Sequence, residues 1–306
     1  MRLVTLAPAK VNLVLRVGPL RPDGYHEIDS LMLPLDLADR VEVRLLPRPG
    51  PVSCVVPGHP GLDGPDNLAA RAADAFRRRF GTWRGIAIRI EKRVPVTAGL
   101  GGGSSDAAAV LRCLARAHGI RDRTALAEVA LEVGSDVPFF LVGGAAWAGG
   151  RGEALVPASV PPLDLVLLHP RDSGLAIRAA EAYRWFDAAR QDRPAGWPPR
   201  RRRFLSTQVG NDLQPPCVAR HPALSALLGR LLGCGAVAAI MSGSGPTVFG
   251  VFEGRAAARR AAELIDSKEE AGKDLEVLVA RGRRAHPRVT SWRSPRSGSS
   301  RSTRRS

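Results

Sequence analysis

The segment Pro95-Val96-Thr97-Ala98-Gly99-Leu100-Gly101-Gly102-Gly103-Ser104-Ser105 constrains this chain more than any other, because a glycine run passes straight into a helical pattern. Ala107, Val110, Leu111, Leu114 and Ala117 recur at the spacing of an amphipathic helix, and Gly119 ends it. A flexible linker is also glycine-rich, but it carries polar spacers and leads into another loop. Glycines let the backbone approach a bulky anion, while a helix N-terminus offers unpaired N–H groups and a positive dipole end. Ser104 and Ser105 add hydroxyls. The run therefore predicts a phosphate site. It is not a P-loop of the Walker type, since no Gly-Lys-Ser/Thr closes it.

Elsewhere the chain reads as mixed strands and helices. Val11, Leu13, Leu15 and Val17 alternate and predict a strand buried on one face. Gly18 to Tyr25 is a turn or loop, Val41–Leu45 a strand, Pro47 to Pro65 a loop, Asn67 to Phe80 a helix and Ile86–Ile90 a strand. A helix over Thr124–Val133 stops at Gly134, and Ser135 to Pro138 opens another. The composition shifts around Pro157 to Pro162, which marks a domain junction. The second half predicts a strand at Leu165–Leu168, a helix at Ala176–Ala189 and a loop at Gln191–Arg203. After these come a helix at Ala223–Leu232, strands at Ala236–Met241 and Thr247–Phe252, a helix at Ala256–Ser267 and a strand at Leu275–Ala280. The expectation is an α+β fold with helices over one face of a sheet, divided as 1–157 and 163–280, with an unfolded Arg/Ser-rich tail at 281–306.

Of 306 residues, 44% are apolar, enough for a substantial core, and the formal net charge is +16. Residues 281–306 hold nine arginines and no acid, which leaves 36 basic against 29 acidic residues in the rest. The body is thus mildly basic with a cationic tail, and Arg200-Arg201-Arg202-Arg203 is a second basic knot. The tail carries one aromatic, Trp292, too few for a stacking platform, so no specific nucleic-acid partner is expected. No stretch approaches the ~20 apolar residues of a membrane span. The N-terminus is too soon interrupted, by Pro8 and Lys10, for a secretion signal, and a cytoplasmic protein is expected. Cys54, Cys113, Cys217 and Cys234 are far apart and read as buried or half-buried thiols rather than a zinc site or disulfide framework.

Pro95 to Ser105 resembles the glycine-rich motif of the galactokinase, homoserine kinase, mevalonate kinase and phosphomevalonate kinase superfamily. Ala7 to Leu13, Arg21 to Glu27, Asn67 to Arg71, Gly134 to Phe140, Gly210 to Leu213 and Met241 to Gly245 narrow the likeness. They resemble the branch that phosphorylates a cytidine-diphosphate-bearing methylerythritol in the non-mevalonate route to isoprenoids. The resemblance runs from Leu3 to about Ala280. It implies an N-terminal ribosomal-protein-like α/β domain and a C-terminal ferredoxin-like α+β domain, with the substrate between them. It also implies ATP as co-substrate, Mg²⁺, and transfer of the γ-phosphoryl to the 2-hydroxyl of the alcohol.

On that resemblance the phosphates of ATP rest on Pro95, Val96, Thr97, Ala98, Gly99, Leu100, Gly101, Gly102, Gly103, Ser104 and Ser105. Asp136 matches the catalytic aspartate and accepts the hydroxyl proton; by itself it reads as a cap for the helix that Pro138 helps start. Lys10 matches its partner lysine, although a lone lysine in an apolar strand usually snorkels to the surface. Tyr25 and His26 match the cytidine pocket, one as a stacking face and one to read the base edge. Tyr183 is matched loosely as the opposing face, and Asn12 belongs with the methylerythritol end or the catalytic groups. Ser242 to Gly245 is a supporting turn, and no residue is assigned to Mg²⁺. Two departures stand out: Ala176 to Ala180 is poor in hydroxyls, and Ala98 replaces a common glycine, which is tolerable if its φ is negative. The oligomer is expected to be a monomer or homodimer. The competing readings are another kinase of the superfamily, of homoserine or mevalonate type, and a nucleic-acid binder acting through its tail.

Overall fold

Period-two alternation in one strand of the second half reveals the layering. Leu165 and Leu167 face one apolar cluster and Val166 and Leu168 another, so this strand is buried on both sides. The computed structural model describes residues 1–189, 209–267, 274–285 and 287–291. In chain order the first half holds β1 (Arg2–Leu20), β2 (His26–Pro49), β3 (Val52–Val55), α1 (Leu68–Phe80) and β4 (Arg84–Glu91). It continues with α2 (Gly102–His118), α3 (Arg123–Val133), α4 (Phe139–Val142), β5 (Ala146–Gly149) and β6 (Ala154–Pro157). The second half holds β7 (Asp164–Pro170), α5 (Ala179–Ala189), β8 (Gly210–Asn211), α6 (Gln214–Arg220) and α7 (Pro222–Gly233). Then come β9 (Ala238–Met241), β10 (Val248–Phe252), α8 (Arg255–Asp266), β11 (Leu275–Arg281) and β12 (Thr290–Ser291).

The first sheet has eight strands, ordered β12-β1-β2-β4-β3, with β5 and β8 joined to β2 and β1 and β6 paired to β5. The second is a four-stranded antiparallel sheet, β11-β7-β10-β9. Helices α1 to α3 cover the outer face of the first sheet, where Phe76, Leu111 and Phe139 pack with Val41, Val43 and Ile88. Between the sheets, Val11, Leu13, Leu31 and Leu33 meet Leu165, Leu167, Phe249 and Val251. Under the second layer of helices, Phe186, Leu224 and Leu231 pack on Val166, Leu168 and Phe252. The α+β expectation holds, as four layers in the order helix, sheet, sheet, helix.

Helix ends follow local chemistry. The Asn67 side chain accepts a bond from the Ala69 N–H at 2.9 Å, and Gly81 and Gly119 close α1 and α2 at φ 64° and 69°. Three expectations need correction. β1 is buried on both faces, since Lys10, Asn12 and Val14 are as hidden as their neighbours; the second sheet covers one face, and α2 with the glycine loop before it the other. β2 starts at His26, where Leu31, Met32, Leu33 and Leu35 are all buried and so show no alternation. The Pro47 to Pro65 loop contains the end of β2, all of β3 and a 3₁₀ turn at Pro60–Leu62.

The segment expected to be unfolded from 281 on is ordered as far as Ser291, apart from position 286, which is not described. Gly282 N–H donates to Leu163 O, Arg283 N–H to Pro34 O, and β12 pairs antiparallel with Leu3 and Val4 of β1. Buried Pro287 and half-buried Val289 supply the apolar contacts that the arginine-rich composition conceals. The knot Arg200 to Arg203, the loop around it and positions 292–306 lie outside the described residues. Among the described residues no helix is long and apolar enough to cross a membrane.

Candidate active site

The glycine run builds a tight loop that closes on α2. Gly99 and Gly101 have φ of 72° and 68°, and α2 starts on Gly101 without a side-chain cap. A Cβ on Gly99 would lie 2.5 Å from Ser242 O, and one on Gly101 3.0 Å from both Lys10 Cγ and Phe140 Cζ. Both glycines are thus required twice over, by conformation and by space. Ala98 is buried with no positive φ, so an alanine fits there, whereas the β-branched Thr97 takes φ 55°. Lys10 N–H donates to Leu100 O at 2.9 Å and Ser242 Oγ–H to Gly99 O at 3.1 Å, which fastens the loop to both halves. The first-turn amides of Gly102, Gly103 and Ser104 have no helical acceptor and remain for an anion.

Two clefts flank this loop, one of about 710 Å³ and one of about 460 Å³. Gly99, Gly101 and Ser104 line both, so the loop is their common wall. The smaller cleft takes the whole run from Pro95 to Ser104, with Asn67 and Lys92. Ser105 lines neither: it is fully buried, and its hydroxyl has no partner among the described residues.

The larger cleft gathers Lys10, Asn12, Tyr25, His26, Asp136 and Tyr183. Lys10 is buried, and its Nζ stands 3.5 Å from Asp136 Oδ2 and donates to Asn12 Oδ1 at 2.6 Å. The Asn12 amide donates to Ser30 Oγ, which in turn donates to Val14 O. This chain orients the Asn12 carbonyl toward the lysine. Asp136 is half-exposed on the turn before α4, open to a substrate.

At the far end, His26 is buried and stacks on Tyr183, with ring centroids 5.4 Å apart and an interplanar angle of 17°. Tyr183 thus lies against the histidine and lines the same cleft as Tyr25. The His26 ring contacts Gly18 O through Nδ1 and Asp187 Oδ2 through Nε2, each at 3.1 Å. Since a carbonyl only accepts, Nδ1 carries a hydrogen. Burial, with the nearby Asp136 charge, raises the Tyr183 phenol well above its ordinary pKa. Tyr25 is half-exposed, and its ring lies under the Arg151 guanidinium at 5.1 Å.

Several side chains at the site carry no sequence signal. Lys92 Nζ bridges Asp39 Oδ2 at 2.6 Å and Asp106 Oδ2 at 2.9 Å, directly behind Gly102. Burial pushes the Asp106 carboxyl up to about 8 against the pull of Lys92. Burial opposes the Lys92 charge, but the two carboxylates outweigh it and raise its pKa. Arg151 and Asp187 sit in stretches without a recognisable motif. Asn211 was visible only as part of a motif; its amide donates to Met241 O and Gly243 O and holds the second glycine turn against the cleft. Asp212 Oδ2 accepts from Val17 N–H, a structural bond between the halves.

Residues 67–144 match the model of the GHMP kinases N terminal domain and residues 201–270 that of the GHMP kinases C terminal. A 4-diphosphocytidyl-2-C-methyl-D-erythritol kinase of Anaeromyxobacter sp. (strain K) is 67% identical over 316 aligned positions, covering 100% of this chain and 99% of the relative. One of Citrifermentans bemidjiense is 44% identical, over 86% of this chain and 94% of its own. The crystal structure of a 4-(cytidine 5'-diphospho)-2C-methyl-D-erythritol kinase superposes with a TM-score of 0.72 at 35% identity, covering 91% of this chain and 98% of that one.

Proposed function

The chain belongs to the 4-diphosphocytidyl-2-C-methyl-D-erythritol kinases of the GHMP kinase superfamily, and from that premise we propose how its own residues carry out the reaction. The activity is ATP-dependent phosphorylation of the 2-hydroxyl of 4-diphosphocytidyl-2-C-methyl-D-erythritol, in the non-mevalonate isoprenoid precursor pathway. ATP occupies the smaller cleft, with its terminal phosphates over Gly101 to Ser104. The alcohol occupies the larger one. The observation that carries this reading is the common wall: a γ-phosphoryl on Gly99, Gly101 and Ser104 faces both clefts.

Asp136 takes the proton as the 2-hydroxyl oxygen attacks the γ-phosphorus. The new O–P bond forms as the bond to the β–γ bridging oxygen breaks, and ADP leaves. Lys10, 3.5 Å away, orients the aspartate toward the hydroxyl, and Asn12 holds the lysine. The free amides of α2 and its dipole stabilise charge gathering on the phosphate oxygens. Tyr25 and His26 take the cytosine, with Tyr183 supporting the histidine from behind.

Mg²⁺ would neutralise the β- and γ-phosphates when bound. Among the described residues no group of three acidic, histidine or cysteine side chains could hold a metal alone. We take the cation to be carried in by the phosphates, with the Ser104 hydroxyl in the wall of both clefts. We take the partner to be this small molecule, with no specific nucleic acid, in a cytoplasmic monomer or homodimer.

The test is a coupled assay with ATP, Mg²⁺ and the cytidylyl alcohol, run beside homoserine and mevalonate. Turnover of the cytidylyl alcohol alone, abolished in Asp136→Ala with its melting temperature kept, is the expected result. Normal turnover in that variant removes Asp136 from the mechanism.

A further inference from the structure

The larger cleft holds a cation with no assigned work. Arg151 lies on the turn between β5 and β6, flanked by Gly150 and Gly152, at φ 69° and 123°. Its backbone is pinned. Arg151 N–H donates to Glu153 Oε2 at 2.7 Å, Gly150 N–H to Glu27 Oε1 at 2.8 Å, and Ile28 N–H to Gly150 O at 2.7 Å. Its side chain is not. Among the described residues no carboxylate comes within 4.0 Å of its guanidinium, which lies on the face of Tyr25 and feels the Asp23 charge from farther off. Of the other charged groups around the cleft, Lys10 is engaged with Asp136 and Asp187 with His26, while Arg184 lines the cleft as an exposed side chain.

Position gives this cation a role. The turn abuts the Ser135–Asp136 segment, since a Cβ on Gly152 would lie 3.6 Å from Ser135 O, whereas the guanidinium reaches Tyr25 at the other end. Arg151 thus bridges the interval between the reacting end and the base end. In the substrate that interval is the diphosphate, a dianion that suits a planar guanidinium fork.

We propose that Arg151 exchanges partners on substrate binding: it leaves the face of Tyr25 and takes the substrate's diphosphate, freeing the ring for the cytosine. The proposal rests on the cytidine reading of Tyr25. A guanidinium over a half-exposed ring is a weak contact, and a charge-assisted pair with a phosphate is a stronger one, so the exchange runs forward. The residue then makes the site prefer a nucleoside diphosphate to a bare nucleoside.

Titration calorimetry of cytidine and CDP against wild type, Arg151→Gln and Arg151→Lys tests this. Arg151→Gln is expected to weaken CDP at least tenfold while cytidine binds as well as before or a few-fold tighter, because the ring is uncovered. Arg151→Lys, which keeps the charge, should recover part of the CDP affinity. In turnover, KM for the cytidylyl alcohol rises in Arg151→Gln, with KM for ATP unchanged. Equal losses for cytidine and CDP, or no loss for CDP, overturn the exchange. If wild type binds neither, the cytidine reading itself fails, and the exchange falls with it.

Discussion

Lys10 and Asp136 face each other at 3.5 Å beside Gly101, the lysine buried and the aspartate half-exposed. In the proposed reaction the exposed partner meets the substrate, and the hidden one already has a second acceptor in Asn12. Removing the aspartate therefore leaves the ammonium a hydrogen-bond acceptor in Asn12 but no counter-charge.

Lys10→Met is expected to lower kcat by about 10²-fold, and Asp136→Asn by about 10²–10⁴-fold, the range for a positioned base. The double variant should be no slower than Asp136→Asn, because the lysine acts through the aspartate. Steady-state rates with melting temperatures decide this; additive losses would give Lys10 an independent role.

Gly101→Ala and Gly119→Ala separate function from conformation. Both glycines have positive φ, worth about 1–2 kcal/mol of strain for alanine. Around Gly119 there is open space, so its variant should melt lower and turn over normally. At Gly101 the added methyl presses on Lys10 and Phe140, so kcat should fall as well.

Asp106 makes stability depend on pH. Its carboxyl, raised by burial to about 8 from an ordinary 3.8, keeps a proton in the folded chain that the unfolded chain releases. Stability from this group therefore falls as pH rises from about 4 to about 8, then levels. Asp106→Asn stays neutral, so its melting temperature minus that of wild type should climb across that window. A difference that declines instead would mean that the ion pair with Lys92 dominates.

Truncation should behave differently at two points. Ending the chain after Ser291 removes only arginine-rich sequence beyond β12 and should leave stability and kcat unchanged, while reducing any salt-dependent binding to polyanions. Ending it after Ala280 also strips β12, Pro287 and Val289 and is expected to cost about 1–3 kcal/mol in urea titrations.

Helix ends are the most legible feature of this sequence, because Asn67, Gly81, Gly101 and Gly119 act through neighbours a few residues away. β2 is much less so: with Leu31, Met32, Leu33 and Leu35 hidden together, its pattern has no period to read. The cradle of the site is equally local, and Lys10 and Asp136 are recoverable through the motifs around them. Lys92, Arg151 and Asp187 are not, since each gains its meaning from partners brought up by tertiary packing: Asp39 and Asp106, Tyr25, and His26.

Leu165, Leu167, Phe249 and Val251 spend the folded state pressed on Val11, Leu13, Leu31 and Leu33, and β8 of the second half completes the sheet of the first. Either half expressed alone is therefore expected to aggregate. Each would display a wall of leucine and valine, and a split version of this enzyme should recover only when both pieces are made in the same cell.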